Sequence, residues 1–87
     1  MEEIIMTLNN RFVLLTYATT DSMNAWAYIS NTSGGSSGEN AGWYRIEPRS
    51  TDGVTNVFVM MNEARGSNRR VSITTNASGL IYMAYLL

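Results

Sequence analysis

Apolar residues in this chain come in short runs, each closed by Asn, Gly, Ser or Pro. Side chains alternate faces along an extended backbone, so short runs bounded by turn residues read as strands joined by tight connections. Glu3–Leu8 puts Ile4, Met6 and Leu8 on one face, and Asn9-Asn10 reads as a tight turn because Asn tolerates positive φ. Arg11–Thr19 follows, with Phe12 and Leu14 on one face and Val13, Leu15 and Tyr17 on the other. Ala25–Ser30 sets Trp26 and Tyr28 against Ala25, Ala27 and Ile29. The competing reading there is a helix capped by Thr20 or Asp21; the strand is preferred because its neighbours are strands. Gly42–Glu47 carries Trp43, Tyr44 and Ile46 and stops at Pro48, which has no ladder donor.

Ser50–Gly53 reads as a turn, Val54–Met61 as a strand apolar on both faces, and Asn62–Asn68 as a polar connection. Arg69–Thr75 alternates cleanly, with Val71, Ile73 and Thr75 inward and Arg70, Ser72 and Thr74 outward. Asn76–Gly79 turns the chain into Leu80–Leu87, again apolar on both faces. The expectation is an all-β fold, an antiparallel β-sandwich or small β-barrel of about seven short strands. It forms one domain over residues 1–87, with a flexible Ser/Gly loop at 31–42 and no fixed-period repeat.

Size sharpens this reading. A chain of 87 residues buries only about 60–65% of its unfolded surface, so its core is thin. There is no Cys or His to supply a disulfide or a zinc site. Oligomerisation is the remaining source of stability. The segment Leu80–Leu87 has no charge and no Pro, which makes it an aggregation hazard on an open edge. Either Glu3–Leu8 pairs with it or another subunit covers it, and Leu80, Tyr82, Tyr85 and Leu87 are the expected interface residues.

Composition removes most reaction chemistry. Without Cys, His or Lys there is no thiol or triad nucleophile, no Schiff base and no phosphate-binding P-loop. A carboxylate pair is the one familiar acid–base device left, and apart from Glu2-Glu3 no two acids lie close in sequence. The expectation is a protein that is not an enzyme, with no cofactor and no metal. A net charge of −1 argues against nucleic-acid and membrane partners. The start Met1-Glu2-Glu3-Ile4-Ile5 has no basic signal region, so a cytoplasmic or virion-associated location is expected. The triplets Asn31-Thr32-Ser33 and Asn76-Ala77-Ser78 are at the chance level for a chain so rich in Asn, Ser and Thr.

Two clusters remain as candidate sites. Trp26, Tyr28, Trp43 and Tyr44 bracket the Ser/Gly loop and can stack on a sugar or a base. The default is that Trp26 and Trp43 fill the core, as the six Met also do. Arg65, Arg69 and Arg70 offer guanidinium groups to an anion, although Arg69 and Arg70 point to opposite faces of a regular strand. The leading expectation is a non-catalytic, self-assembling recognition or structural module, a homo-oligomer of the kind found in virions, tails or surface decorations. The alternative is a protein that sequesters a small anionic, nucleotide-like or sugar-like ligand between Trp43 or Tyr44 and Arg65, Arg69 or Arg70.

Overall fold

A computed structural model describes residues 6–21, 23–32, 34–35, 38 and 40–87. The expectations for Met1–Ile5, for Ser33 and for part of the Ser/Gly loop lie outside the described residues. The described residues are predominantly β, one antiparallel sheet with one helix. In order, the elements are β1 (Met6–Ala18), β2 (Ala25–Ser30), β3 (Gly42–Arg45), α1 (Thr51–Ser67), β4 (Arg70–Thr75) and β5 (Ile81–Leu86). The sheet order is β3-β2-β1-β4-β5. A single parallel bridge from Ile46 to Ile81, with Glu47 N–H donating to Ile81 O at 2.7 Å, ties the ends of the two outer segments together. The sheet is curled by this contact and is not closed into a barrel.

Three expectations change. First, Asn9-Asn10 is not a hairpin turn. Met6–Ala18 runs through as one long strand, pairing β4 with its first half and β2 with its second. Asn10 does adopt positive φ, at 56°, but within a register shift between Leu8 and Arg11. Such a bulge absorbs one extra residue and bends the strand without reversing it. Second, the register shifts again between Val13 and Leu15. Strict alternation therefore fails at Leu14: Val13 and Thr16 face the helix, and Leu15 and Tyr17 face the other way.

Third, Ser50–Asn68 forms a capped helix where a turn, a strand and a connection were expected. Val54, Thr55, Val57 and Val59 favour extended backbone when read alone. Their periodicity is nevertheless helical, since Val54, Met61 and Ala64 are buried with Val57 and Phe58 packed beside them. Ser50 sits in extended backbone and its Oγ accepts from Gly53 N–H at 3.1 Å, while Asp52 complements the dipole in the first turn. Asn68, at φ 55°, ends the helix in the left-handed region, and Arg69 N–H donates to Ala64 O at 2.9 Å. Five strands and a helix thus stand in place of seven strands.

The helix covers one face of the sheet. The core beneath it is aliphatic: Leu8, Val13, Ala27, Ile29, Met61, Ala64, Val71, Ile73 and Ile81 are all buried. The alternation expected for β4 holds on this face, with Val71, Ile73 and Thr75 inward. The helix also grips the second bulge. Arg65 Nε donates to the Leu14 carbonyl at 3.0 Å, and Thr16 Oγ1 donates to Asn62 Oδ1 at 2.7 Å. The first bond satisfies a carbonyl at the bulge, and the second ties the Thr16 side chain to the helix.

Candidate functional site

The opposite face of the sheet has no covering layer among the described residues. Cross-strand partners share a face, so register assigns it: Tyr17 with Trp26, Leu15 with Tyr28, Tyr28 with Trp43, Trp26 with Arg45, and Ser72 with Tyr85. Six of the nine aromatic rings lie here, namely Phe12, Tyr17, Trp26, Tyr28, Trp43 and Tyr85. Neither Trp fills the core. Trp26 is half-buried, and Trp43 is 45% exposed, beside Leu15 at 48%, Tyr17 at 51% and Tyr85 at 61%. The default placement of the indoles fails because it assumes a layer on both sides of the sheet.

The rings are held by one another. Trp43 meets Tyr28 edge-to-face at 5.3 Å and Tyr17 at 6.3 Å between centroids. Trp26 Nε1–H donates to Asn24 Oδ1 at 2.9 Å, and Asn24 Nδ2 donates to Thr19 Oγ1 at 2.8 Å. Tyr17, Asn24, Trp26 and Trp43 line an open groove of about 520 Å³. Arg45 stands beside Trp26 with Nη2 donating to Met23 O at 3.3 Å, and its buried Nε has no hydrogen-bond partner among the described residues.

The two expected clusters do not converge. Trp43 faces the open side, whereas its neighbour Tyr44 faces the helix side and donates from its hydroxyl to Asn40 O at 2.6 Å. Burial raises the Tyr44 phenol above its usual pKa, partly countered by the Arg11 guanidinium. Arg65 is spent on the Leu14 carbonyl, and Arg69 Nε donates to Leu87 O at 2.7 Å. Arg70 reaches the open face but lies over the Phe12 ring at 5.6 Å, in the half of the sheet away from Trp43. Of the expected ligand residues only Trp43 belongs to the groove. Tyr17, Asn24 and Arg45 were missed; the signal for them is cross-strand register, which no single segment carries.

The expected interface residues divide. Tyr85 is exposed on the open face and Leu87 is 48% exposed. Leu80 is half-buried, and Tyr82 lines a small cavity of about 90 Å³ with Val57 and Ile81 on the helix side. β5 pairs with β4, and apart from the Ile46 bridge at Ile81 its other edge has no strand partner among the described residues. Residues 6–8, the described part of the segment expected to close the sheet, pair with β4 instead.

Among the described residues no three acidic side chains gather in a metal-binding group. Among the described residues no helix is long and apolar enough to cross a membrane. Glu47 lies at the bridge between the outer segments, where Asn76 Nδ2 donates to its Oε2 and Arg49 Nη2 stands 2.7 Å from Oε1. Comparison with known proteins gives no match to a family model, a curated protein or a solved structure. The functional reading therefore rests on geometry.

Proposed function

We propose that this chain is a non-catalytic, self-assembling module whose copies pair through the outer edge of β5. What carries the reading is the contrast between that edge and the other. β3 has four residues, contains Gly42 and Arg45, and runs out shortly before Pro48, all features that blunt an edge. β5, Ile81–Leu86, has neither charge nor Pro. Leu87 N–H donates to Arg70 O at 2.8 Å, so Tyr85 and Met83, in phase with Leu87, aim their backbone groups at β4. The N–H and C=O of Ala84 and Leu86 consequently point outward, ready to accept a further strand.

A two-fold axis at Tyr85 satisfies these groups. Ala84 of one copy then faces Leu86 of the other, and the two Tyr85 rings stand side by side on the open face. The result is one continuous sheet across two copies, with both helices on the same side. Covering an apolar side chain of Leu size at the seam contributes roughly 1.5–3 kcal/mol, a large share of the stability of about 5 kcal/mol that suits so small a domain.

The test uses the absence of cysteine from the chain. Tyr85→Cys forms a covalent dimer under mild oxidation, because facing strand residues stand within disulfide reach. Ala84→Pro removes an outward N–H, leaves the β4 ladder intact, and yields a folded monomer that melts below the unaltered chain and whose melting temperature no longer rises with protein concentration. Light scattering that gives a monomer for the unaltered chain at high micromolar concentration overturns the proposal.

A further inference from the structure

The groove at the other end of the open face is independent of the β5 edge. Its volume of about 520 Å³ lies in the range that holds small ligands. Its walls are flat rings, and their orientation is set before anything binds. Trp43 is braced by Tyr17 and Tyr28, and Trp26 is tied through Asn24 to Thr19. An indole that is 45% exposed and still fixed by two edge-to-face contacts is a preorganised stacking platform.

Charge narrows the occupant. The described charges of this face are Arg45 and Arg70, with no carboxylate among its described residues. Asp52 and Glu63 lie on the helix, Asp21 in the β1–β2 turn and Glu47 beyond β3. Arg45 stands beside Trp26, anchored by Nη2 on Met23 O; its Nε is enclosed without a partner among the described residues, so it acts on an anion in the groove through its charge and not through that N–H. A sugar ring needs several directional hydrogen bonds; the N–H of Trp26 is spent on Asn24, and the Asn24 amide has given one donor and one acceptor to its neighbours, leaving one of each. A planar base needs only ring faces, and an attached phosphate supplies the anion for a guanidinium.

We infer that the groove formed by Tyr17, Asn24, Trp26 and Trp43, with Arg45 at its rim, binds a nucleobase carrying a phosphate. Among the described acids, Glu47, Asp52 and Glu63 lie off this face, and the nearest, Asp21, is held on Thr19 Oγ1 at 3.3 Å behind Asn24. The same chemistry comes from a free nucleotide or from one residue of a single strand, and the arms of the test separate them.

With two Trp in the chain, the indole N–H signals in a nitrogen-15 NMR spectrum give a direct readout. Titration with AMP, GMP, CMP and UMP shifts the Trp26, Trp43 and Arg45 Nε signals saturably for at least one of them and leaves the β5 amides in place. Inorganic phosphate and N-acetylglucosamine move nothing. Trp43→Ala weakens binding by about tenfold or more. Arg45→Gln weakens the nucleotide by about tenfold while leaving the matching nucleoside unchanged. A short deoxyadenosine oligonucleotide that binds more tightly than AMP assigns the source to a single strand, and equal affinity assigns it to the free nucleotide. Ala84→Pro binds as the unaltered chain does, so this result and the assembly result fail separately. Silence of both indoles up to millimolar nucleotide and in the presence of the oligonucleotide, or an equal response to N-acetylglucosamine, overturns the inference.

Discussion

The two faces of the sheet are made by alternate residues of the same strands, yet they differ in kind. Under the helix the strands supply Ala25, Ala27, Ile29, Val71, Ile73 and Ile81, none more than 4% exposed. On the open side the same strands supply Phe12, Tyr17, Trp26, Tyr28, Trp43 and Tyr85. A helix packs closely only where side chains are small or branched near the backbone; rings on that face would hold α1 away from β2. Sorting the large rings to the face that has no second layer lets a small protein keep a dense core and still present a rigid apolar surface. Hydrophobicity alone does not say which residues are core. The shape of the facing layer decides.

Substitutions that treat the two faces alike should therefore give unlike results. Ile73→Ala, at a fully buried position, is expected to cost about 2–5 kcal/mol. Against a total of about 5 kcal/mol, urea unfolding should show a chain at or near the end of its stability. Tyr17→Ala, at a position 51% exposed on the open face, is expected to cost less than about 1 kcal/mol. Equal losses at the two positions would mean that the open face is packed against something as firmly as the helix face is, and the contrast would collapse.

The cover itself can be loosened at its first turn. Ser50 Oγ caps Gly53 N–H at 3.1 Å, so Ser50→Ala should lower stability by about 1 kcal/mol and Ser50→Gly by only a few tenths. Thermal melts of the pair measure the cap without touching either face. A change in the Trp43 indole signal on Ser50→Ala would show that the open face depends on the helix more than the geometry implies.

How far the sequence revealed this arrangement depends on where the deciding interactions lie. The alternation of Arg69–Thr75 and the strand at Ala25–Ser30 are local, and both were legible. The positive φ of Asn10 was legible too, but its use was not: whether an Asn turns a chain or bulges a strand depends on the partner, here β4. Val54–Met61 misled because three of its residues are Val, and β-branched residues favour strands until a sheet offers a helical stripe something to cover. The cap at Ser50 and the acid at Asp52 were present as signals, yet they were read as a hairpin turn. Trp43 was legible as a candidate and lines the groove, but its companions Tyr17, Asn24 and Arg45 come from other segments. Tyr44 was grouped with Trp43 by adjacency, although adjacent residues of a strand face opposite ways.

Tyr44 also gives the smallest and cleanest test of the two-faced arrangement, because it is a ring on the covered side. The chain has no His, Cys or Lys, so no side chain has an ordinary pKa between the carboxylates and the tyrosines, and stability should be level from about pH 6 to pH 9. Burial raises the Tyr44 phenol in the folded state, and Arg11 offsets only part of that rise. For a group whose folded pKa is raised, the unfolded chain releases its proton first. The contribution is thus fully present below the unfolded value near pH 10 and is lost as pH climbs through the folded one. Tyr44→Phe also loses the 2.6 Å hydrogen bond to Asn40 O, which lowers stability by a constant amount at every pH below the tyrosine range. The informative quantity is the slope above pH 10, which should be shallower in Tyr44→Phe than in the unaltered chain when urea midpoints are compared across that range. Parallel curves would mean that Tyr44 is as well hydrated folded as unfolded, and that the helix side is open at β3.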